Sequence, residues 1–580
     1  MRIITFPKYI KNEELKPREL KRCYLVVDGH NFFYNISKDA QILFDFGIAA
    51  NCFALHIKEK LAMFKQAGVK CYVVFKGGDT DPTKKKKQLL TLEKYIKYPI
   101  FLKEIWTQVL EEEGINYSTC VAEFKGDCVA LAQALECSVL SNDIEYCFRN
   151  APYIPLATIV QSQKPLIKCK QYDIKDFLKK HSLTENKFAI FAALSDVKVF
   201  AENQMDNVLR RWGVLNKANL YIQHKSLIKQ LAKRSEQDLL MDISKLLPSE
   251  LNQRFLEYKE CVLHNMQHGD HTLVTDYLLN DRKLSVQRHD PMWFDKGVAT
   301  QNINITYINL YKHRFILISS DNLDRNIIIF LDIIIYAYNL LTNFTKNDIT
   351  VHFFNESVPS INIASDNFNI QKPTYQCSES VFENGWMNVK SLKLFNHFLC
   401  ENNINGVMLN VVPVEARMLF ITLIYFYRKK TSADINVIKE IYCFIISYVM
   451  LNIVFDQEDS ITKQTNNVNE EDCAEAIRVT QKYFKCSPIE KIQIYDEDTL
   501  KTLTELQYCL LQMNNLNIIC GKEYETTKYH RTINSKFIYQ LLLQMKQYDR
   551  GEEFITDLFQ TAPSVLKVIN DLINILKENI

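Results

Sequence analysis

Tyr24–Ile36 reads YLVVDGHNFFYNI and Tyr72–Gly78 reads YVVFKGG. Each opens on a run of β-branched and aromatic residues, which predicts a buried strand, and glycine follows as a turn signal. The first strand ends on Asp28, and a further apolar stretch, SVLSND, ends on Asp143. The second delivers Lys76 to the equivalent place. Whether this chain is an enzyme turns on that lysine.

Working outward, the pattern alternates from Tyr24 to about Ile159. Strands are expected at 24–27, 71–75, 116–121, 137–141 and 153–159, with helical stretches at 50–66, 100–114 and 127–136. Strand–helix alternation of this kind predicts a mostly parallel sheet covered by helices on both faces. After about residue 185 strands thin out and helical periodicity takes over, with helices expected at 391–402, 414–428, 435–455, 473–485, 498–513, 534–548 and 564–578. The fold class is therefore α/β followed by a large all-α part. The polar stretch 456–472 reads as a mobile loop.

At 580 residues the chain exceeds a single core. Only 14 glycines and 14 prolines favour long helices. A formal net charge of +2 gives no global basic field, so any nucleic-acid contact must come from a local patch. The 16 cysteines form no CxxC pair, which argues against zinc and for reduced, buried thiols. The N-terminus lacks a secretory apolar core, and Asp332 interrupts the apolar run 327–341. A soluble protein of a reducing compartment is expected, with no membrane partner.

Ligands of parallel α/β sheets bind beyond the carboxyl ends of the strands. Those ends here carry Asp28, Lys76, Glu123 and Asp127 (in VAEFKGDCVALA), Asp143 and Glu145 (in SNDIEY), and further on Asp196. A ring of carboxylates is what two hard cations need when they hold a phosphodiester. The alternative is that each acid is a turn former or helix cap, which suits Asp127 and Asp143 in particular.

The stretches YLVVDGHNFFYNI, CYVVFKGGDTDPTKKK, AEFKGDCVALAQALECSVLSNDIEYCFR and FAALSD stand in an order and spacing that resembles the flap endonuclease/XPG superfamily, a PIN-like nuclease fold, and within it the asteroid branch. The likeness covers about residues 1–200. It implies a PIN-like XPG-type nuclease domain over 1–215 and a helical asteroid-type domain over 216–580. It also implies Mg²⁺ or Mn²⁺ if the protein is active, branched or single-stranded DNA as partner, and a role in DNA repair. Protein partners through the helical domain, and the signalling of the epidermal growth factor receptor, attach to the asteroid name. An intracellular, nuclear or cytoplasmic, location follows from the same likeness.

Carried over residue by residue, the metal ligands fall on Asp28, Glu123, Asp127, Asp143, Glu145 and Asp196, but two acid positions are occupied by Lys76 and Lys125. Each exchange swings the local charge by two units. At an effective dielectric near ~20, a lone charge pair a few ångströms apart is worth about 4 kcal/mol, so the cations should lose most of their affinity. The expectation is a degraded two-metal site with weak or no cleavage. A working metal-dependent endonuclease and a non-catalytic adaptor are the rivals. Lys84, Lys85, Lys86, Lys87, Lys94 and Lys97 form the expected phosphate patch, or else a solvated helix face.

Overall fold

A computed structural model describes residues 3–39, 49–78, 100–122, 124–161, 165–201, 203–267, 269, 272–284, 290–318, 328–345, 348–353, 361–363, 380–430, 435–455, 468–484 and 496–580. The chain forms two compact units. The first comprises 1–35, 59–76 and 115–283, and the second 36–58, 77–114 and 284–580. Their segments alternate along the chain, whereas the sequence reading draws one boundary at 215/216.

In the first unit, strands β2 (Tyr24–Asp28), β3 (Lys70–Phe75), β4 (Asn116–Thr119), β5 (Ser138–Ser141) and β6 (Tyr153–Pro155) form one sheet in the order β4-β3-β2-β5-β6. Every pairing is parallel, with Val27 opposite Val73 and Leu140 on its two sides. Leu25, Val26 and Val27 are all buried, as a central strand covered on both faces requires. Because the strands run the same way, Asp28, Lys76 and the residues after Ser141 emerge on one edge of the sheet.

Two helices fix that edge. Gly29 opens helix α2 (Gly29–Asp39), and a Cβ there would stand 2.8 Å from the Phe75 ring and Val73, so only glycine lets the chain turn directly off β2. Helix α5 (Lys125–Ala134) follows β4 and is buried along nearly its whole length. A second, antiparallel sheet joins β1 (Lys16–Leu20), β8 (Ile167–Gln171) and β7 (Val160–Gln161) in the order β1-β8-β7. Helices α1 (Phe6–Glu13), α6 (Ile174–His181), α7 (Glu185–Ser195), α8 (Asp206–Arg211), α9 (Leu220–Lys233), α10 (Glu236–Leu246), α11 (Ser249–Gln267) and α12 (Leu273–Leu279) complete the unit. The remaining helices introduced from this region are α3 (Ala50–Gln66), which lies between β2 and β3 in sequence, and α4 (Leu102–Glu112), which precedes β4.

The second unit is largely helical. Its helices Leu394–Glu401, Arg417–Lys429, Ile435–Tyr448, Glu470–Phe484, Glu497–Ile519, Ser535–Met545 and Pro563–Lys577 fall where helical periodicity places them, within a few residues at most ends. It also holds a small sheet that the sequence reading did not resolve, Phe315–Ile318 beside Ile349–Phe353 beside Ile361–Ile363. Short uniform apolar runs such as FILI carry no period that separates strand from helix. Asn436–Val454 is long and apolar enough to cross a membrane, but 94% of it is buried inside the fold, as a core helix is. Of the expected loop 456–472, residues 456–467 lie outside the described residues, and 470–472 belong to the helix starting at Glu470.

Candidate active site

Asp28 is the last residue of β2 and is 1% exposed. Its Oδ1 accepts the Asn31 backbone N–H at 2.9 Å and its Oδ2 the Ser141 hydroxyl at 2.7 Å. Burial pushes its carboxyl up to about 6, against the pull of those two donors and of the Lys125 ammonium. Ser141 closes β5, and its oxygen also accepts the Asp143 N–H at 3.0 Å, which sets the turn after that strand.

Asp143 caps the short 3₁₀ turn Ile144–Phe148 by accepting the Glu145 N–H at 3.0 Å. The capping alternative for Asp143 is thus realised. Its other oxygen lies 2.8 Å from Lys125 Nζ, and the same ammonium donates to Glu145 Oε2. Lys125 is the first residue of α5, so the helix start aims its side chain across the strand-end edge toward the turn after β5. Burial disfavours the ammonium, but the Glu145 and Asp143 carboxylates outweigh it and hold Lys125 above the ordinary lysine range. Burial likewise opposes the Glu145 carboxylate, yet Lys125 brings that group down to about 2. Both partners stay charged at neutral pH.

The other acids are engaged singly. Asp127, on the first turn of α5, is 4% exposed. It accepts the Cys120 thiol at 3.1 Å and the Thr272 hydroxyl, the latter from just before α12. Asp196 ends α7 at 2% exposure, accepting the Lys198 N–H at 2.9 Å and the Tyr258 hydroxyl from α11. Lys76 follows β3 directly and is half-buried. Glu123, and the lysines at 84–87, 94 and 97, lie outside the described residues.

The structure thus brings Asp28, Asp143, Glu145 and Lys125 together, while Asp127 and Asp196 are each closed off by donors of their own chain. Ser141, Asn31, Cys120, Thr272 and Tyr258 were missed as partners. Only Ser141 carries a local signal, two residues before Asp143. Thr272 and Tyr258 reach their acids from 145 and 62 residues away in the chain. Among the described residues no three His, Cys, Asp or Glu side chains converge as a cation would need. A two-metal set does not fit the described residues: an ammonium bridges Asp143 and Glu145, and Asp28, Asp127 and Asp196 already accept from donors of the chain.

The asteroid N-terminal domain family matches residues 415–580. Protein asteroid of Drosophila melanogaster is 29% identical over 158 residues, 25% of this chain and 18% of that protein. The single-strand DNA endonuclease ASTE1 of Danio rerio is 23% identical over 214 residues, 33% of this chain and 31% of that protein. The matches therefore span less than a third of each relative's own length. Among solved structures, the catalytic core of Rad2 with a DNA substrate is 16% identical, covering 47% of this chain and 88% of its own, at a TM-score of 0.30. Human GEN1 with Holliday junction DNA is 13% identical, covering 53% and 75%, at a TM-score of 0.32.

The first unit thus holds a parallel α/β sheet with acids at its carboxyl edge, and the second is largely helical. Over the matched stretches the chain is similar to asteroid proteins.

Proposed function

We propose that this protein binds single-stranded or branched DNA through a PIN-like unit whose two-metal site has been retired, with little or no cleavage. The observation that carries the reading is the Lys125 ammonium between Asp143 and Glu145. A fixed positive charge there repels a divalent cation and satisfies the carboxylates that would bind it. The likeness to the zebrafish single-strand DNA endonuclease ASTE1 supports DNA as the partner. The same reading puts the protein in DNA repair or processing inside the cell, nuclear or cytoplasmic, with a nuclease-type domain over 1–215 and an asteroid-type domain over 216–580. Protein partners would use the helical part.

The test is incubation of the full chain with flap and single-stranded DNA in Mg²⁺ and in Mn²⁺, beside an Asp143→Asn control. Binding without cleavage is expected. Cleavage that disappears in the control would instead establish an active Mg²⁺- or Mn²⁺-dependent endonuclease. Absence of any DNA binding would leave the adaptor reading.

A further inference from the structure

The near-neutral total charge hides a division. The first unit carries 33 lysines and arginines against 25 aspartates and glutamates, a surplus of eight. The second carries 37 against 43, a deficit of six.

Part of the basic surplus gathers where α1, α6 and α9 meet. Glu13 and Glu14, at the end of α1, are the hub. Glu13 Oε1 accepts the Tyr221 hydroxyl at 2.5 Å and lies 3.3 Å from Lys225 Nζ, both on α9. Lys180 Nζ, on α6, lies 2.9 Å from both the Glu13 carbonyl and Glu14 Oε2, and His181 Nε2 lies 2.9 Å from Glu14 Oε1. Tyr9 and Tyr221 pack at 5.6 Å beneath this network. The hub consumes its own acids and fixes three helices together. Around it stand Lys11 on α1, Lys179 on α6 and Lys229 on α9, all exposed, and no carboxylate among the described residues pairs with them. Lys225 and Lys229 are one helical turn apart and share a face of α9.

We infer that the α1–α6–α9 face is a phosphate-backbone binding surface for nucleic acid, distinct in sequence from the lysine run 84–97. It rests on the DNA-binding reading above and says where the strand is held. A merely solvated lysine face would not need its helices clamped by a buried carboxylate. Here Glu14 is nearly buried, and the clamp holds the cations on a rigid support. The contacts are to phosphates, so recognition is independent of sequence and sensitive to salt.

The experiment uses the full chain and fluorescein-labelled 30-nucleotide DNA, single-stranded and duplex, read by anisotropy between 50 and 200 mM KCl (about the range in which counterion release is resolved). The variant Lys11→Glu/Lys179→Glu/Lys229→Glu leaves the hub contacts of Glu13, Glu14, Lys180, His181, Tyr221 and Lys225 in place. The control, Lys390→Glu/Lys482→Glu/Lys567→Glu, makes the same charge change in the second unit. For the first variant a loss of at least about tenfold at 100 mM salt is expected, and a fall in the logarithmic salt slope of about two to three. The control should bind as the unaltered chain does. Unchanged affinity and slope in the first variant overturn the face while leaving the DNA reading intact, as does an equal loss in the control. An unaltered chain that binds neither DNA, or binds only phosphatidylserine vesicles, overturns both. Matching melting temperatures across the three proteins establish that the losses are not unfolding.

Discussion

Lys125 Nζ stands 2.8 Å from Asp143 Oδ2, an ammonium and a carboxylate joined across the end of one parallel sheet. Half-burial on both sides makes the pair structural as well as electrostatic: the side chains are 13% and 30% exposed. Its loss should be felt in stability and in cation affinity at once.

Lys125→Met removes the ammonium that Asp143 and Glu145 share. After discounting for partial exposure, a cost of about 2 kcal/mol is expected. Mn²⁺ should then raise the melting temperature of the variant and leave that of the unaltered chain in place. Thermal melts with and without 1 mM Mn²⁺ (roughly the range in which a weak carboxylate site fills) check this. Equal shifts in both proteins would mean that Lys125 does not exclude the metal.

Tyr258→Phe deletes the hydroxyl that serves Asp196 while keeping the ring against Phe200. The buried Asp196 carboxylate loses that donor, at a cost of about 1–3 kcal/mol. Denaturant unfolding of the variant measures it, with Tyr221→Phe, at an exposed acid, as the milder comparison.

Two buried groups oppose each other in the pH profile. His224, packed edge-on against Phe6 and Phe191, is pushed down to about 4 by burial alone. Its stability contribution is present above its unfolded value of 6.5 and is lost as pH falls through about 4. Asp28 is raised from 3.8 to about 6, so its contribution is full below 3.8 and lost as pH rises through about 6. Between those limits the two slopes cancel in part. Asp28→Asn should therefore make stability fall more steeply on acidification from pH 6.5 to 4, and His224→Phe should make it rise. Urea midpoints at pH 7, 5.5 and 4.5 (about the span of the two titrations) read both; parallel profiles for all three proteins would refute the assignment.

In the second unit, Glu505 is fully buried on the long helix Glu497–Ile519, and Lys430 lies 2.6 Å from it. Lys430→Met strands that carboxylate and should cost about 3 kcal/mol, whereas Lys430→Met/Glu505→Leu should recover most of it. Equilibrium unfolding of the single and double variants makes the comparison.

How much of this was legible depends on the range of the contact. Strands Tyr24–Asp28 and Lys70–Phe75 announce themselves because a doubly covered strand must be apolar throughout. Lys125 was visible as a misfit because its neighbours in AEFKGD keep the local pattern. That its ammonium reaches Glu145 was not visible, since only the packing of α5 beside β5 sets that distance. Thr272 and Tyr258 were hidden for a stronger reason: hydroxyls carry no periodicity, and their acids lie far away in sequence. The interleaving of the two units was equally silent, because residues 100–114 read locally like the rest of the α/β alternation yet belong to the unit that holds the residues from 284 onward.

That interleaving matters during synthesis. Helix α4, with Trp106 wholly buried in the finished protein, leaves the ribosome about 170 residues before the first of its later partners, or roughly 10–30 s at ordinary elongation rates. Phe101 stacks on Tyr529 at 4.2 Å and Gln108 donates to the Thr527 carbonyl at 2.8 Å, so the wait extends past Tyr529. Until residues 284 onward are made, the apolar face of α4 lacks the later partners of its own unit, so a chain stopped at Lys283 should expose it.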